Sequence, residues 1–424
     1  MPAPRRAYRF LGTAAGGSSP NSLPWFSFVP YRVVRVQQQG HVSSSPPRRS
    51  PSSQKRLLST ATSTLCQQKT GMASHRVPIA PQSVDAPLTQ HATFLVLAAK
   101  SPADLSTQQT IRSALAGVSG RAKNVAMRDL DAHFSCTVGI GSHLWDHLFS
   151  SSLSPVKPKK PAELHPFRPI HGNTHVAPST RGDLLFHIRA ERRDLCFEFE
   201  RQLLGSLGKG DDSVVEVVDE TVGFRYFDSR DLLGFVDGTA NPVGAALPAS
   251  VLLTESDVRP SGVSGNDDSS DANSIASLAA VCGSYVVVQK YMHDMARWNA
   301  LSTEHQEAVI GRTKLTNEEL DDVTAAAQQK AHKTLTTIVD EQSGEEHDIL
   351  RDNMPFGSPG AGQFGTYFIG YSRRLWVVEK MLERMFIGVP PGMHDGILDY
   401  STALTGTTFF APSASFLASL DSDD

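Results

Sequence analysis

Asp183-Leu184-Leu185-Phe186-His187-Ile188-Arg189 is a mostly apolar run that predicts a β-strand. In the segment that follows, Leu195, Phe199 and Leu203 recur every four residues, which predicts one apolar face of an α-helix. Paired basic residues lie between the strand and the helix. This strand–helix unit is the basis of the fold prediction, because it occurs a second time in the chain.

The second copy lies near the C-terminus. Residues 365–371 predict its strand, Arg373 and Arg374 form its basic pair, and its apolar helix face comprises Val378, Met381, Leu382, Met385 and Phe386. The repetition predicts an α+β fold of two related halves, residues 85–221 and 222–424, each with a split βαβ sheet and helices on one face. The alternative is that two ordinary strand–helix units occur by chance.

Residues 1–84 differ in composition from the rest of the chain. They contain 11 Lys and Arg, many Ser and Pro, and no carboxylate, since the first acidic residue is Asp85. Such a composition is typical of a transit segment and predicts import into mitochondria or another organelle matrix. A disordered basic tail is one alternative, and translation from Met72, which would give a cytoplasmic protein, is another. All three exclude this segment from the fold.

The remaining chain is acidic and has no long apolar run. Of the 40 Lys and Arg, 11 precede Asp85, which leaves 29 against 44 Asp and Glu, a net charge of -15. A nucleic-acid partner is therefore not expected. No apolar run approaches the roughly 18 residues of a membrane span. Residues 261–274 are rich in Ser, Asp, Asn and Gly, which predicts a flexible insertion without chemistry.

The first candidate site segment is Gly234-Phe235-Val236-Asp237-Gly238-Thr239-Ala240-Asn241-Pro242. Glycines at 234 and 238 allow the backbone to approach a planar ligand closely, and Asp237 supplies a carboxylate beside it. Asp-Gly is also a common turn dipeptide, so an ordinary turn remains the alternative from this motif alone.

Two further segments carry groups suited to chemistry. In residues 351–357, Arg351 and Asn353 offer a fixed cation and an amide that can stabilise charge on a bound oxygen, although a surface arginine in an ion pair is the common alternative. His332 offers an imidazole, the usual proximal ligand of haem iron in peroxidases. Spacing alone does not distinguish it from His293 or His347.

Together the three segments have the order and approximate separation found in dye-decolourising peroxidases. The chain resembles especially the intracellular bacterial branch of that family. Residues 234–242 match the family's Gly-x-x-Asp-Gly signature with its Thr-x-Asn-Pro extension. Further agreement lies at residues 283–289, 306–314, 366–371 and 405–412, so the resemblance covers residues 90–415 approximately.

The resemblance implies two ferredoxin-like halves, each an antiparallel sheet with helices on one face, and one non-covalent haem b in the C-terminal half. The four cysteines include no Cys-x-x-Cys-His, the motif of thioether attachment. By motif, His332 is the proximal iron ligand. Asp237 and Arg351 are the distal catalytic pair, and Asn353 assists them.

Other haem contacts follow from the same resemblance. Gly238 and Thr239 should line the haem through their backbone, and Arg312 is a weaker candidate for binding the propionates. The chain departs from the family pattern at the 261–274 insertion and at Lys333, which follows the ligand histidine. Neither departure removes a catalytic residue.

The implied activity is reduction of hydrogen peroxide coupled to oxidation of organic donors of dye or phenolic type, through a ferryl intermediate. A protein that binds, delivers or senses haem without significant turnover is the alternative, although storage needs no distal acid–base pair. Trp298, Trp376, Tyr367 and Tyr371 can either relay electrons or fill the core. The oligomeric state is left open, with a homo-oligomer as one alternative.

Overall fold

A computed structural model of the chain describes residues 78–150, 158–258, 279–321, 329–340 and 344–421. The predicted insertion at 261–274 and residues 1–77 of the predicted extension lie outside these ranges. Residues 78–84 of that extension belong to the fold, so the prediction that excluded them is wrong: Val84 is buried in a core cluster, and the buried Gln82 side chain donates to the Val138 carbonyl oxygen at 2.8 Å. Within the described ranges, no helix has both the length and the apolar character needed to cross a membrane.

The first half begins with a long strand and ends with another. Its elements are β1 (His91–Ala99), α1 (Leu105–Ala116), α2 (Val118–Ala126), β2 (Ser135–Gly141), α3 (Ser142–Ser150), β3 (Ile170–His171), β4 (Val176–Ala177), β5 (Leu184–Ala190), α4 (Arg193–Ser206) and β6 (Val215–Phe224). The boundary predicted between residues 221 and 222 lies within β6.

The second half contains more short elements. They are α5 (Ala246–Val251), α6 (Glu255–Val258), β7 (Ser284–His293), α7 (Met295–Asn299), α8 (Thr303–Ile310), α9 (His332–Thr336), β8 (Ile338–Val339), β9 (Glu346–His347), β10 (Leu350–Arg351), β11 (Met354–Ser358), β12 (Gln363–Ser372), α10 (Leu375–Phe386), β13 (Ser401–Ala403), β14 (Thr407–Ala411) and α11 (Ala414–Ala418).

The two halves have equivalent strand orders. The first pairs its strands as β2-β5-β1-β6 and the second as β10-β12-β7-β14, so each follows the order 2-3-1-4 of a ferredoxin-like unit. All the pairings within these orders are antiparallel. The predicted α+β fold of two ferredoxin-like halves is confirmed. The sequence did not predict that β14 pairs with β2 and joins both halves into one sheet.

The sheet buries both of its faces. On β1, Leu95 and Leu97 pack in the cluster that includes the helices, whereas Phe94 and Val96 pack in a second cluster. The rings of Phe94 and Tyr367 on β12 stack with centroids 4.1 Å apart. Because four strands separate β1 from β12 in the sheet, the sheet must curve until its inner faces meet. The helices of each half therefore cover the outer face.

The repeated unit has the same local structure in both halves. The helices α4 and α10 follow β5 and β12 directly, and Arg192 and Arg374 occupy their N-cap positions with extended backbone. In the second half, the connection from β7 to β10 carries α7, α8 and α9. This long connection and α10 supply much of the candidate site.

Candidate active site

A cavity of about 480 Å³ lies in the C-terminal half, which is within the roughly 300–1,000 Å³ typical of cofactor pockets. One part of its wall is apolar and comprises Leu233, Phe235, Ile310, Phe368, Val378, Met381, Leu382, Met385 and Ile397. All the site residues predicted from the sequence also line it: Asp237, Gly238, Thr239, Arg312, His332, Arg351 and Asn353.

Hydrogen bonds hold both oxygens of the Asp237 carboxylate. Its Oδ1 accepts from the backbone N–H of Gly238 at 2.7 Å, and its Oδ2 accepts from Nδ2 of Asn353 at 3.0 Å. The Asn353 amide is oriented in turn, because its Oδ1 accepts the N–H of Ile369 at 3.1 Å. Gly238 has φ +78°, a left-handed conformation that favours glycine. The carboxylate is therefore fixed at the cavity wall.

Asn241 connects this loop to Arg351. Its Nδ2 donates to the carbonyl oxygen of Arg351 at 2.7 Å, and its Oδ1 accepts the N–H of Arg351 at 3.0 Å. One side chain thus binds both backbone groups of the arginine. Among the residues that the structure describes, no carboxylate forms an ion pair with the Arg351 guanidinium. Its charge can therefore act on a ligand in the cavity.

Asp352 anchors the segment between Arg351 and Asn353. Successive side chains of an extended chain point to opposite sides, and Asp352 is buried away from the cavity. Its Oδ2 accepts from Nη1 of Arg189 on β5 at 3.0 Å. Burial raises the pKa of the Asp352 carboxyl, and the Arg189 charge opposes that shift. The first half of the chain therefore helps to place two cavity residues that belong to the second.

A buried carboxylate holds His332, the first residue of α9. The ring Nδ1 lies 2.6 Å from Oδ2 of Asp395, whose side chain is fully buried. Oδ1 of Asp395 accepts the N–H of Ile397 at 3.0 Å, so the carboxylate is itself fixed. Because Nδ1 is engaged, Nε2 remains for bonding to a metal. Metal-binding histidines commonly have such a carboxylate on the other ring nitrogen.

The two alternative histidines also line the cavity but differ in their contacts. His293 is buried, with Nδ1 2.8 Å from the Ser401 hydroxyl and Nε2 2.9 Å from the Thr366 hydroxyl. Burial lowers its pKa to about 4. His347 packs edge-on against Trp376 with ring centroids 5.0 Å apart. Geometry therefore favours His332, which spacing in the sequence could not distinguish.

Basic side chains lie together at one part of the wall. Nη2 of Arg312 is 3.4 Å from Oε2 of Glu319, and Nζ of Lys333 donates to Oε1 of the same carboxylate at 2.7 Å. The Glu319 side chain is 61% exposed. The Arg312 and Lys333 side chains are 19% and 20% exposed, and both line the cavity, where they can also bind an anionic group of a ligand.

The family follows from comparison with known proteins. The model "Dyp-type peroxidase, N-terminal" matches residues 81–225, and "Dyp-type peroxidase, C-terminal" matches residues 228–416. The chain belongs to the Dyp-type peroxidase family. It is a haem peroxidase, as predicted, and the alternative of a haem-binding protein without turnover is not favoured.

Curated relatives and solved structures agree with this assignment. The chain is 48% identical over 343 residues to a dye-decolorizing peroxidase of Brevibacterium linens, covering 81% of this chain and 83% of the relative. The structure is similar to DyPB from Rhodococcus jostii, with TM-score 0.69, 50% identity, and coverage of 81% of this chain and 99% of that one. A variant of that protein solved in complex with heme gives TM-score 0.68 at 50% identity, covering 80% and 98% of the two chains.

Sequence reasoning missed three residues of this Dyp-type peroxidase site. Asp395 lies 63 positions from His332, and no spacing pattern links the two. Asn241 belongs to the family signature, but the sequence does not predict its contact with Arg351. Lys333 departs from the family pattern, and the sequence does not predict that it lines the cavity. In the part of the chain that the structure describes, none of Cys136, Cys196 and Cys282 lines the cavity.

Proposed function

We propose that the cavity binds one haem b without a covalent link, and that Nε2 of His332 would hold its iron. The observation that carries this proposal is the His332–Asp395 pair at the wall of a cavity that also contains Asp237 and Arg351. The apolar residues of the wall suit a macrocycle. Arg312 and Lys333 supply two cations for its propionates, in competition with Glu319.

Haem, when bound, would supply a redox-active iron for the two-electron reduction of peroxide. Asp237 accepts the proton of one peroxide oxygen and returns it to the other. Asn353 keeps the Asp237 carboxylate oriented through the contact at 3.0 Å. The Arg351 guanidinium stabilises the negative charge that develops on the departing oxygen.

A second, smaller cavity gives peroxide a way to these residues. It has a volume of about 40 Å³ and shares Asp237, Gly238, Arg351 and Asn353 with the larger one. This space suits water-sized molecules and excludes dyes. We propose that peroxide reaches Asp237 by this side and that bulky donors react elsewhere.

Trp376 is the surface contact for bulky donors. It is 39% exposed on α10, and its edge contact with His347 leads to the cavity wall. Trp298, Tyr367 and Tyr371 are buried and fill the core. Electrons from an organic dye or phenol then pass through Trp376 and His347.

We also propose that residues 1–84 direct the protein to mitochondria or another organelle matrix, with cytoplasmic translation from Met72 as the alternative. The carboxylate-free composition supports import, whereas the bacterial origin of the relatives does not. A reporter fused behind residues 1–84 should enter an organelle. A reporter that stays in the cytosol would contradict this targeting.

The test of the peroxidase assignment is an absorption spectrum of the haem-loaded protein, followed by rapid mixing with hydrogen peroxide and a dye. We expect the spectrum of a ferric, histidine-ligated haem, and we expect this spectrum to change after mixing with peroxide. Dye oxidation should require peroxide. Haem binding without peroxide turnover would favour the delivery or sensing alternative.

A further inference from the structure

A group of possible metal ligands lies outside the cavity wall. Nε2 of His175 is 2.9 Å from Oδ1 of Asp399, and Nε2 of His394 is 3.0 Å from the same oxygen. One ligand atom from each residue lies within 4.8 Å of the other two. The rings of the two histidines meet edge-on with centroids 4.7 Å apart.

The backbone holds these three residues close together. His175 lies in the turn between β3 and β4, which is closed by a hydrogen bond from the Gly172 N–H to the His175 carbonyl at 3.0 Å. The turn packs on the end of α10, where a Cβ added at Gly172 would lie 2.0 Å from the carbonyl oxygen of Phe386. Asp399 ends a short 3-10 helix, Gly396–Asp399. The ligands are thus arranged before any ion binds.

The donor set fits a divalent transition cation. Imidazole nitrogen and carboxylate oxygen both bind Zn²⁺ at about 2.0–2.2 Å. An ion at that distance from two atoms 3.0 Å apart subtends an angle of about 90°, which is typical of octahedral or tetragonal sites of divalent transition cations. The side chains of His175, His394 and Asp399 are 22%, 12% and 34% exposed, so an ion can enter and water can complete its coordination.

A basic side chain, Arg297, also contacts Asp399. Nη1 of Arg297 donates to the carbonyl oxygen of Asp399 at 2.8 Å and binds the backbone there. The Arg297 cation thus leaves the Asp399 carboxylate to the two histidines.

We propose that His175, His394 and Asp399 form a binding site for a divalent transition cation, represented by Zn²⁺. The ion links the β3–β4 turn of the first half to the helix Gly396–Asp399 of the second. Asp395 is the N-cap residue of that helix, so the ion also restrains the residue that holds His332. The site does not depend on the proposed haem chemistry.

A second histidine pair supplies the matched control. His143 and His147 lie one turn apart on α3, with their Nε2 atoms 3.3 Å apart. The His143 side chain is 63% exposed, and Asp183 is 3.6 Å from its other ring nitrogen. Such a pair can bind zinc weakly. The double variant His143→Ala/His147→Ala removes this weak binding and leaves the proposed site intact.

The test is calorimetric titration of the purified full chain with zinc chloride near neutral pH, where metal ligands are deprotonated. We expect one tight site in the natural sequence and in His143→Ala/His147→Ala. His175→Ala and His394→Ala should each weaken binding by at least about 100-fold, more than the loss of an outer-shell partner usually costs. Asp399→Asn keeps the side-chain shape and should weaken binding at least about 10-fold.

Two further measurements make the outcome decisive. Crystals soaked in zinc chloride should show anomalous density within about 2.2 Å of the three ligand atoms. Circular dichroism checks that each variant is folded before its titration is interpreted. Zinc binding that is unchanged in the His175→Ala variant and in the His394→Ala variant would overturn the proposal. Loss of zinc binding in His143→Ala/His147→Ala would also overturn it. So would an absence of binding at zinc concentrations up to about 1 mM.

Discussion

The Asp395 carboxylate lies 2.6 Å from Nδ1 of His332 and is completely buried. A buried anion at this position fixes the ring and raises the electron density on Nε2, which strengthens a bond from that atom to a metal. Asp395 is held by the Ile397 N–H and by its own N–H, which donates to the Met385 carbonyl at 2.8 Å. The short 3-10 helix and α10 therefore act together on the proposed iron ligand.

Replacing the anion tests this relationship. Asp395→Asn should lower haem affinity by about 10–100-fold, because a neutral amide orients the ring but does not increase its basicity. Competition with apomyoglobin measures the effect through the rate of haem transfer. Asp348→Asn is the control, since Asp348 also lines the cavity. Equal haem transfer from the two variants would show that Asp395 has no special role.

Substitution of Arg351 should slow the reaction with peroxide more than substitution of Asp237 does. Water in the distal part of the cavity can replace Asp237 as a proton carrier, so Asp237→Asn should slow the reaction with peroxide by about 10²-fold, the lower end of general acid–base effects. Nothing replaces the charge of Arg351. Arg351→Leu should therefore raise the activation free energy of the reaction with peroxide by roughly 2.7–4 kcal/mol or more, as the loss of an oxyanion donor does. Stopped-flow mixing at matched haem content compares the two rates. A slower Asp237→Asn enzyme would reverse this ranking.

The buried pair Arg189–Asp352 should contribute to stability. Arg189→Met leaves the Asp352 charge buried without its partner and should destabilise the protein by about 3–5 kcal/mol. The double variant Arg189→Met/Asp352→Leu should recover much of that loss, because it removes both charges. Urea denaturation measures the stability of each. A double variant less stable than Arg189→Met alone would contradict this explanation.

The repeated strand–helix unit was predictable because it depends on local periodicity. Leu195, Phe199 and Leu203 are buried on α4 as their spacing requires. The pairing of β14 with β2 was not predictable, since it depends on how the two halves meet. Asp395 is one of 44 acidic residues, and only the folded chain places it beside His332.

Asp231 should make stability depend on pH. Burial raises the pKa of this cavity-lining carboxyl to about 7 from the ordinary 3.8. The folded protein therefore retains a proton that the unfolded chain releases, so this contribution is complete below about pH 4 and is lost as the pH rises through about 7. Each pH unit in that window is worth up to about 1.4 kcal/mol.

Asp231→Asn removes this dependence. The variant should gain stability relative to the natural sequence at pH 8 and gain less at pH 5, as measured by urea denaturation at both values of pH. An equal difference between the two proteins at pH 5 and pH 8 would mean that Asp231 does not retain its proton on folding.

The central claim is that His332 bonds the haem iron, and haem retention in three histidine variants tests it most directly. His332→Ala, His293→Ala and His347→Ala are purified in parallel, and haem per chain is measured from the Soret band and by extraction. His332→Ala should lose most of its haem, whereas the other two should keep it, because His293 already binds Ser401 and Thr366 and His347 packs on Trp376. Equal haem retention in all three variants would contradict the assignment of His332 as the ligand.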